Sequence, residues 1–146
     1  MNFKNLYLMF SDLTKHLQAP ALLFARIAVA YGFYEPAMNK WADIDSVAQW
    51  FGSMGIPMPL LNAYMAASTE LLGVVLLTLG FLTRLISLPL IVIMIVAIVT
   101  VHLPNGFSAG ENGFEIPLYY MLFLSIFVSS GAGKFSLDRK IFGDKS

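Results

Sequence analysis

The feature that most constrains this chain is a succession of long apolar stretches separated by short connections. They occupy residues 20–39, 57–82, 84–102 and 116–130. Each comes near the roughly 20 apolar residues that one helix needs to cross a hydrocarbon core. In lipid a backbone must satisfy its own N–H and C=O groups, which a helix does within one segment. Hydrophobic residues make up 58% of the 146 residues and charged ones only 12%, against about 25% charged in soluble domains. One small soluble globule has no interior large enough for that apolar surface. These figures exclude a soluble enzyme, a nucleic-acid binder and a disordered tail. A net charge of zero leaves no basic face to neutralise phosphates. The expectation is an all-α membrane fold, a four-transmembrane-helix bundle in the lipid bilayer.

The ends of the chain differ from its middle. Phe3, Leu6, Phe10, Leu13 and Leu17 recur at three- and four-residue spacing, with Lys4, Asp12 and Lys15 elsewhere. That pattern reads as an amphipathic helix on the membrane surface, spanning residues 1–19; a partly ordered tail is the alternative. Residues 20–131 then form the bundle and 132–146 a polar tail. Lys4, Lys15, Arg84, Lys134, Arg139, Lys140 and Lys145 flank one side of the spans, and only Lys40 the other. The positive-inside rule places both termini and the 82–84 turn in the cytoplasm. The 41–56 and 103–115 connections face outward, with Trp41, Trp50, Phe51 and Phe107 at headgroup level. No removable signal peptide is evident. With no cysteine, any redox chemistry runs through a cofactor or a partner. A weak internal echo links the second and fourth runs, which both open on Ile-Pro (Ile56-Pro57, Ile116-Pro117).

Ionisable groups inside a bilayer cost about 2.5–3.5 kcal/mol each at mid-helix, so they face a partner or a cavity. Arg26 lies about 9 Å and Glu35 about 22 Å above the start of the first run, at 1.5 Å per residue. Glu70 lies about 16–20 Å below the outer start of the second run. Arg26 and Glu70 therefore share a depth, which predicts a buried ion pair between them. A second group gathers near the outer face: Tyr31, Glu35, Lys40, His102, Glu115 and Tyr119. Pro36 removes the N–H that would bond Gly32, so a kinked or unwound turn is expected there. Such a turn is tolerated where it lines a cavity. Together these residues predict an outward-opening polar pocket. The alternative is a set of interfacial polar groups, with Glu115 favoured simply by the first turn of its helix.

Other features weigh less. Thioethers suit Cu(I), which makes His102, Met38 and Met58 candidate copper ligands, but Met is also an ordinary filler of apolar gaps. There is no nucleotide-binding glycine loop, nucleophile elbow or paired-histidine zinc motif. The two histidines, His16 and His102, lie on opposite sides, so a bis-histidine haem is excluded.

Arg26 in an apolar helix, the run Gly32-Phe-Tyr-Glu-Pro-Ala-Met-Asn-Lys-Trp41, Gly55-Ile-Pro57 and Glu70-Leu-Leu-Gly73 stand in a recognisable order. Gly80 through Thr83-Arg84, His102 and the closing Gly131-Ala-Gly-Lys-Phe-Ser-Leu-Asp138 complete it. From about residue 20 to 138 this resembles the DoxX family. The runs 31–41 and 105–120 resemble a narrower DoxX-like group that accompanies small copper-binding modified peptides. The resemblance implies a small four-helix bundle in the bacterial inner membrane. It supports Arg26, Lys40, Glu70, Arg84 and His102 as signature positions and implies no catalytic set.

Three functions are consistent with this reading. One is an accessory subunit for redox or copper homeostasis, acting with other membrane or periplasmic proteins at the outward face. Another is an oxidoreductase subunit that binds a quinone between helices, its Tyr, His and carboxylate groups bonding the quinone oxygens. The third is a carrier for a small solute or metal, for which four helices would have to form a homo-oligomer.

Overall fold

The computed structural model describes residues 2–143; Lys145 lies outside them. Helix α1 spans Phe3–Lys15, α2 Gln18–Ala42, α3 Ile44–Ser53, α4 Pro59–Leu79 and α5 Thr83–Ala97. A π-helical turn, Ile98–His102, and a 3₁₀ turn, Leu103–Asn105, prolong α5. Helix α6 spans Glu115–Ser130 and α7 Leu137–Phe142. No strand occurs among the described residues.

The bundle consists of α2, α4, α5 and α6. Helix α2 packs most extensively on α4, and α5 on α6. Leu22, Arg26, Val29, Ala30, Phe33 and Ala37 form the buried stripe of α2, at the spacing of one helix face. Ala63, Ala67, Glu70, Gly73 and Leu77 form that of α4. Small residues on both stripes let the backbones approach closely. Leu77, Ile86, Leu90, Met94, Leu124 and Phe127 complete the core with the α2 residues.

Helix α4 and the α5 segment Thr83–Asn105 are each long and apolar enough to cross a membrane, and α1 with α2 passes only as a pair bent by 45°. Helix α6 has 16 residues, or about 24 Å, against a core of about 30 Å. Two or three spans therefore meet the length test, where four were expected.

Two local expectations are corrected, and the polar tail carries structure of its own. The helix passes through Pro36 without unwinding. The 41–56 connection is not a plain loop. It contains α3, whose Asp43 accepts the Ser46 N–H at 3.1 Å and the Ser46 hydroxyl at 2.6 Å, a side-chain cap for an orphan helix donor. The hydrogen bonds from Ser46 hold the Asp43 carboxyl below its ordinary range. The tail after Gly131 is also not free. Its α7 packs back on the bundle through the buried Asp138.

Candidate functional site

The bundle holds one internal ion pair among the described residues. Lys40 Nζ lies 2.8 and 3.0 Å from the two carboxylate oxygens of Glu70. Glu70 is 2% exposed. Lys40 occurs on the same face as Arg26, fourteen residues on, which is close to four whole turns. Its aliphatic stem lies along the bundle and carries the ammonium to the carboxylate.

Arg26 does not pair with Glu70. It is fully buried and donates from Nη1 to the Leu77 carbonyl at 2.9 Å and from Nη2 to the Phe135 carbonyl at 2.5 Å. The reason is the direction of side chains. Arg26 meets Leu77 and Lys40 meets Glu70, so α2 and α4 run antiparallel. Side chains tilt toward the N-terminus of their own helix. At equal depth Arg26 and Glu70 therefore lean apart, and Lys40 and Glu70 lean together.

Around Arg26 the chain forms a knot at the end bearing Arg84. Gly80 ends α4 in the left-handed region, with Gly80 N–H on the Leu77 carbonyl and Phe81 N–H on the Leu76 carbonyl, the paired bonds of a Schellman end. A Cβ at Gly80 would collide with Arg26 Nη1 and with Ser136. The Asp138 carboxylate accepts the Leu82 N–H at 2.7 Å and the Thr83 N–H at 3.0 Å. It thereby caps α5 and holds Leu82 at φ 48°, a conformation unfavourable for a branched side chain. Asp138 N–H also donates to the Gly80 carbonyl at 2.9 Å. Asp138 enters the sequence pattern only as the last residue of the 131–138 run, with no role attached. No sequence signal marks it, because it lies 56 and 55 residues from Leu82 and Thr83 and only the tertiary fold closes that distance.

The expected outward pocket does not assemble. Lys40 is turned to Glu70. Tyr31 is 80% exposed and Glu35 is exposed, on the face of α2 opposite its buried stripe. His102, Glu115 and Tyr119 do come to one region, but they serve the 103–114 loop. Glu115 accepts the Ala109 N–H at 3.0 Å and the Tyr119 hydroxyl at 3.1 Å. His102 Nδ1 is 2.9 Å from the Asn112 carbonyl, which also accepts from Asn105 at 3.2 Å. Phe107 and Phe114 meet edge to face at 5.5 Å. These bonds make the loop a compact cap. Among the described residues no three His, Cys, Asp or Glu side chains converge as a metal cluster. Met38 and Met58 are exposed.

A family model described as DoxX matches residues 21–103, more than half of the chain. The chain belongs to the DoxX family. It is similar to an uncharacterised protein of Haemophilus influenzae, 33% identical over 133 residues, covering 86% of this chain and 88% of the relative. It is also similar to the inner membrane protein YphA of Escherichia coli, 32% identical, covering 82% and 89%. A third relative, named "Putative oxidoreductase CatD", of Bacillus subtilis, is 32% identical, covering 84% and 88%. No solved structure matches the chain. The DoxX match takes in Arg26, Lys40, Glu70, Arg84 and His102, and stops short of α6 and of the Asp138 knot. The chain is a membrane protein of this family.

Proposed function

We propose that this DoxX protein is an accessory subunit of a redox assembly in the bacterial inner membrane. It crosses the membrane four times, keeps both termini in the cytoplasm and docks a partner on its outward cap. Lys15, Arg84, Lys134 and Lys140 flank one end of the bundle and only Lys40 the other, the asymmetry in basic residues that the positive-inside rule reads. Asp43, Asp45 and Glu111 also lie at that other end. The observation that carries the docking role is the state of the cap. The side chains of His102, Asn105, Glu115 and Tyr119 are bonded to one another or to the cap's own backbone, while Trp41, Trp50, Met58 and Phe107 remain exposed. Aromatic and Met side chains on a rigid frame suit protein recognition. A basic partner surface would complement the acidic residues. The redox context rests on the name of the Bacillus relative. A copper role would use the exposed thioethers of Met38 and Met58.

A second reading, a quinone-binding oxidoreductase subunit, is favoured by Tyr120. Its ring packs on Phe33 at 5.4 Å, and its hydroxyl lies over Gly32 with no hydrogen-bond partner among the described residues. A deletion strain separates the two. Under the docking reading, Trp50→Ala with Phe107→Ala fails to restore quinone-linked oxidoreductase activity in its membranes, and Tyr120→Phe restores it. The reverse pattern, with quinone co-purifying with the protein, overturns the docking reading in favour of the second.

A further inference from the structure

Tyr31, Glu35 and Asn39 stand four residues apart on α2, and residues at that spacing share a helix face. All three are exposed, and none of their side chains has a hydrogen bond or ion pair among the described residues. Glu35 is nine residues from the buried Arg26, half a turn out of phase, so the row looks away from the bundle. The inference rests on the reading of α2 as a membrane span. Helix α2 has 25 residues, about 37 Å of length, and Glu35 sits about 10 Å inside its Ala42 end. Its side chain tilts toward the N-terminus of α2, hence toward the middle of the membrane and away from the outer surface. A row of hydrogen-bonding groups facing lipid at that depth is costly when bare and joins helices when matched.

The row is complementary to itself. Glu35 offers a carboxylate acceptor, and Tyr31 and Asn39, one turn below and one turn above, offer O–H and N–H donors. A two-fold axis along the membrane normal brings the same face of two copies together. Each residue then meets its counterpart and the residues one turn away: Tyr31 and Asn39 of each copy offer donors to Glu35 of the other, twice by symmetry, and the two Glu35 carboxyls, which meet at the axis, bond each other when one carries a proton. No cation from elsewhere is needed, and Lys40, the base of the outer half, is already held by Glu70. Ala28, exposed on the same side, leaves room for close backbone approach. We propose that Tyr31, Glu35 and Asn39 form the interface through which α2 of one copy binds α2 of a second.

The chain has no cysteine, so one introduced cysteine is the only thiol. Full-length Ala28→Cys and Ala42→Cys, oxidised in native membranes, are expected to give disulfide-linked dimers, and Val92→Cys on an exposed face of α5 is not. Adding Glu35→Ala to Ala28→Cys should lower the dimer yield about fivefold, as expected for loss of an interhelical polar contact. Equal dimer yield at Val92, no dimer at Ala28 and Ala42, or adducts only with a protein of different mass would overturn the proposal. Labelling of Glu35→Cys by a water-soluble maleimide separates the two readings. Protection without dimers removes the interface alone; rapid labelling removes the membrane-span reading and the interface with it.

Discussion

Lys40 and Glu70 close the α2–α4 pair from opposite directions, the ammonium 2.8 Å from one carboxylate oxygen and 3.0 Å from the other. Each side chain leans toward the other because the helices run antiparallel. Removing one partner strands a buried charge. Glu70→Leu, which leaves an ammonium inside the bundle, should destabilise the protein by about 3 kcal/mol. Lys40→Met with Glu70→Leu should recover most of that loss, because an apolar pair of similar volume avoids the desolvation cost. Thermal unfolding in detergent, followed by circular dichroism across the double-mutant cycle, measures both. Equal destabilisation by the single and the double change would refute the pairing as the source.

Asp138 carries a second, separable contribution. Its carboxylate caps α5 through the Leu82 and Thr83 N–H groups and so holds the left-handed Leu82. Asp138→Ala should cost about 1–2 kcal/mol, the usual range for a lost N-cap. The released α7 should become open to proteolysis before the bundle does. Leu82→Gly in the Asp138→Ala background should return part of the stability, because glycine adopts the left-handed region without strain. Limited proteolysis of detergent-solubilised protein, with mass analysis of the first cut, checks the order of events.

These two clusters show what the sequence made legible and what it did not. The apolar runs located the bundle helices, because membrane helices must be long and continuous. Depth arithmetic put Arg26 and Glu70 level, and it treated side chains as points on an axis. The tilt of each side chain along its helix decided the pairing instead. Lys40 is named by the sequence as a residue of the outward pocket; its pairing with Glu70 is legible only from its place on the face of Arg26. Asp138 could not, since its partners lie 55 and 56 residues away and no helical period links them. The chemistry of Tyr31 and Glu35 suits a polar site, yet their phase on α2 turns them from the bundle.

Asp43 gives the outer helix α3 a pH dependence. The Ser46 hydroxyl and N–H hold its carboxyl below the ordinary value, so the folded state favours the ionised form. The group therefore contributes stability above the ordinary carboxylate pKa, and the contribution is lost as pH falls through the depressed value. Melting temperature in detergent should decline on acidification below the ordinary carboxylate range, and Asp43→Ala should show a shallower decline. Identical acid profiles for the two proteins would dismiss Asp43 as a contributor. Above that range Asp43→Ala should be slightly less stable, through the loss of an exposed cap.

Gly32 tests the fit of α2 to α6. A Cβ built there would overlap the hydroxyl end of Tyr120, whose ring is also held against Phe33. Clearing the overlap requires the Tyr120 ring to shift off Phe33, so Gly32→Ala should destabilise by about 1–3 kcal/mol, the range for overpacking. The gain in helix propensity from Gly to Ala, about 1 kcal/mol, works in the opposite direction. Tyr120→Leu removes the far end of the ring and should let that gain appear: in its background Gly32→Ala should be neutral or stabilising. A double-mutant cycle measured by thermal unfolding reads the change of sign directly. If Gly32→Ala is equally destabilising with Tyr120 and with Leu at that position, the close contact is not what requires glycine.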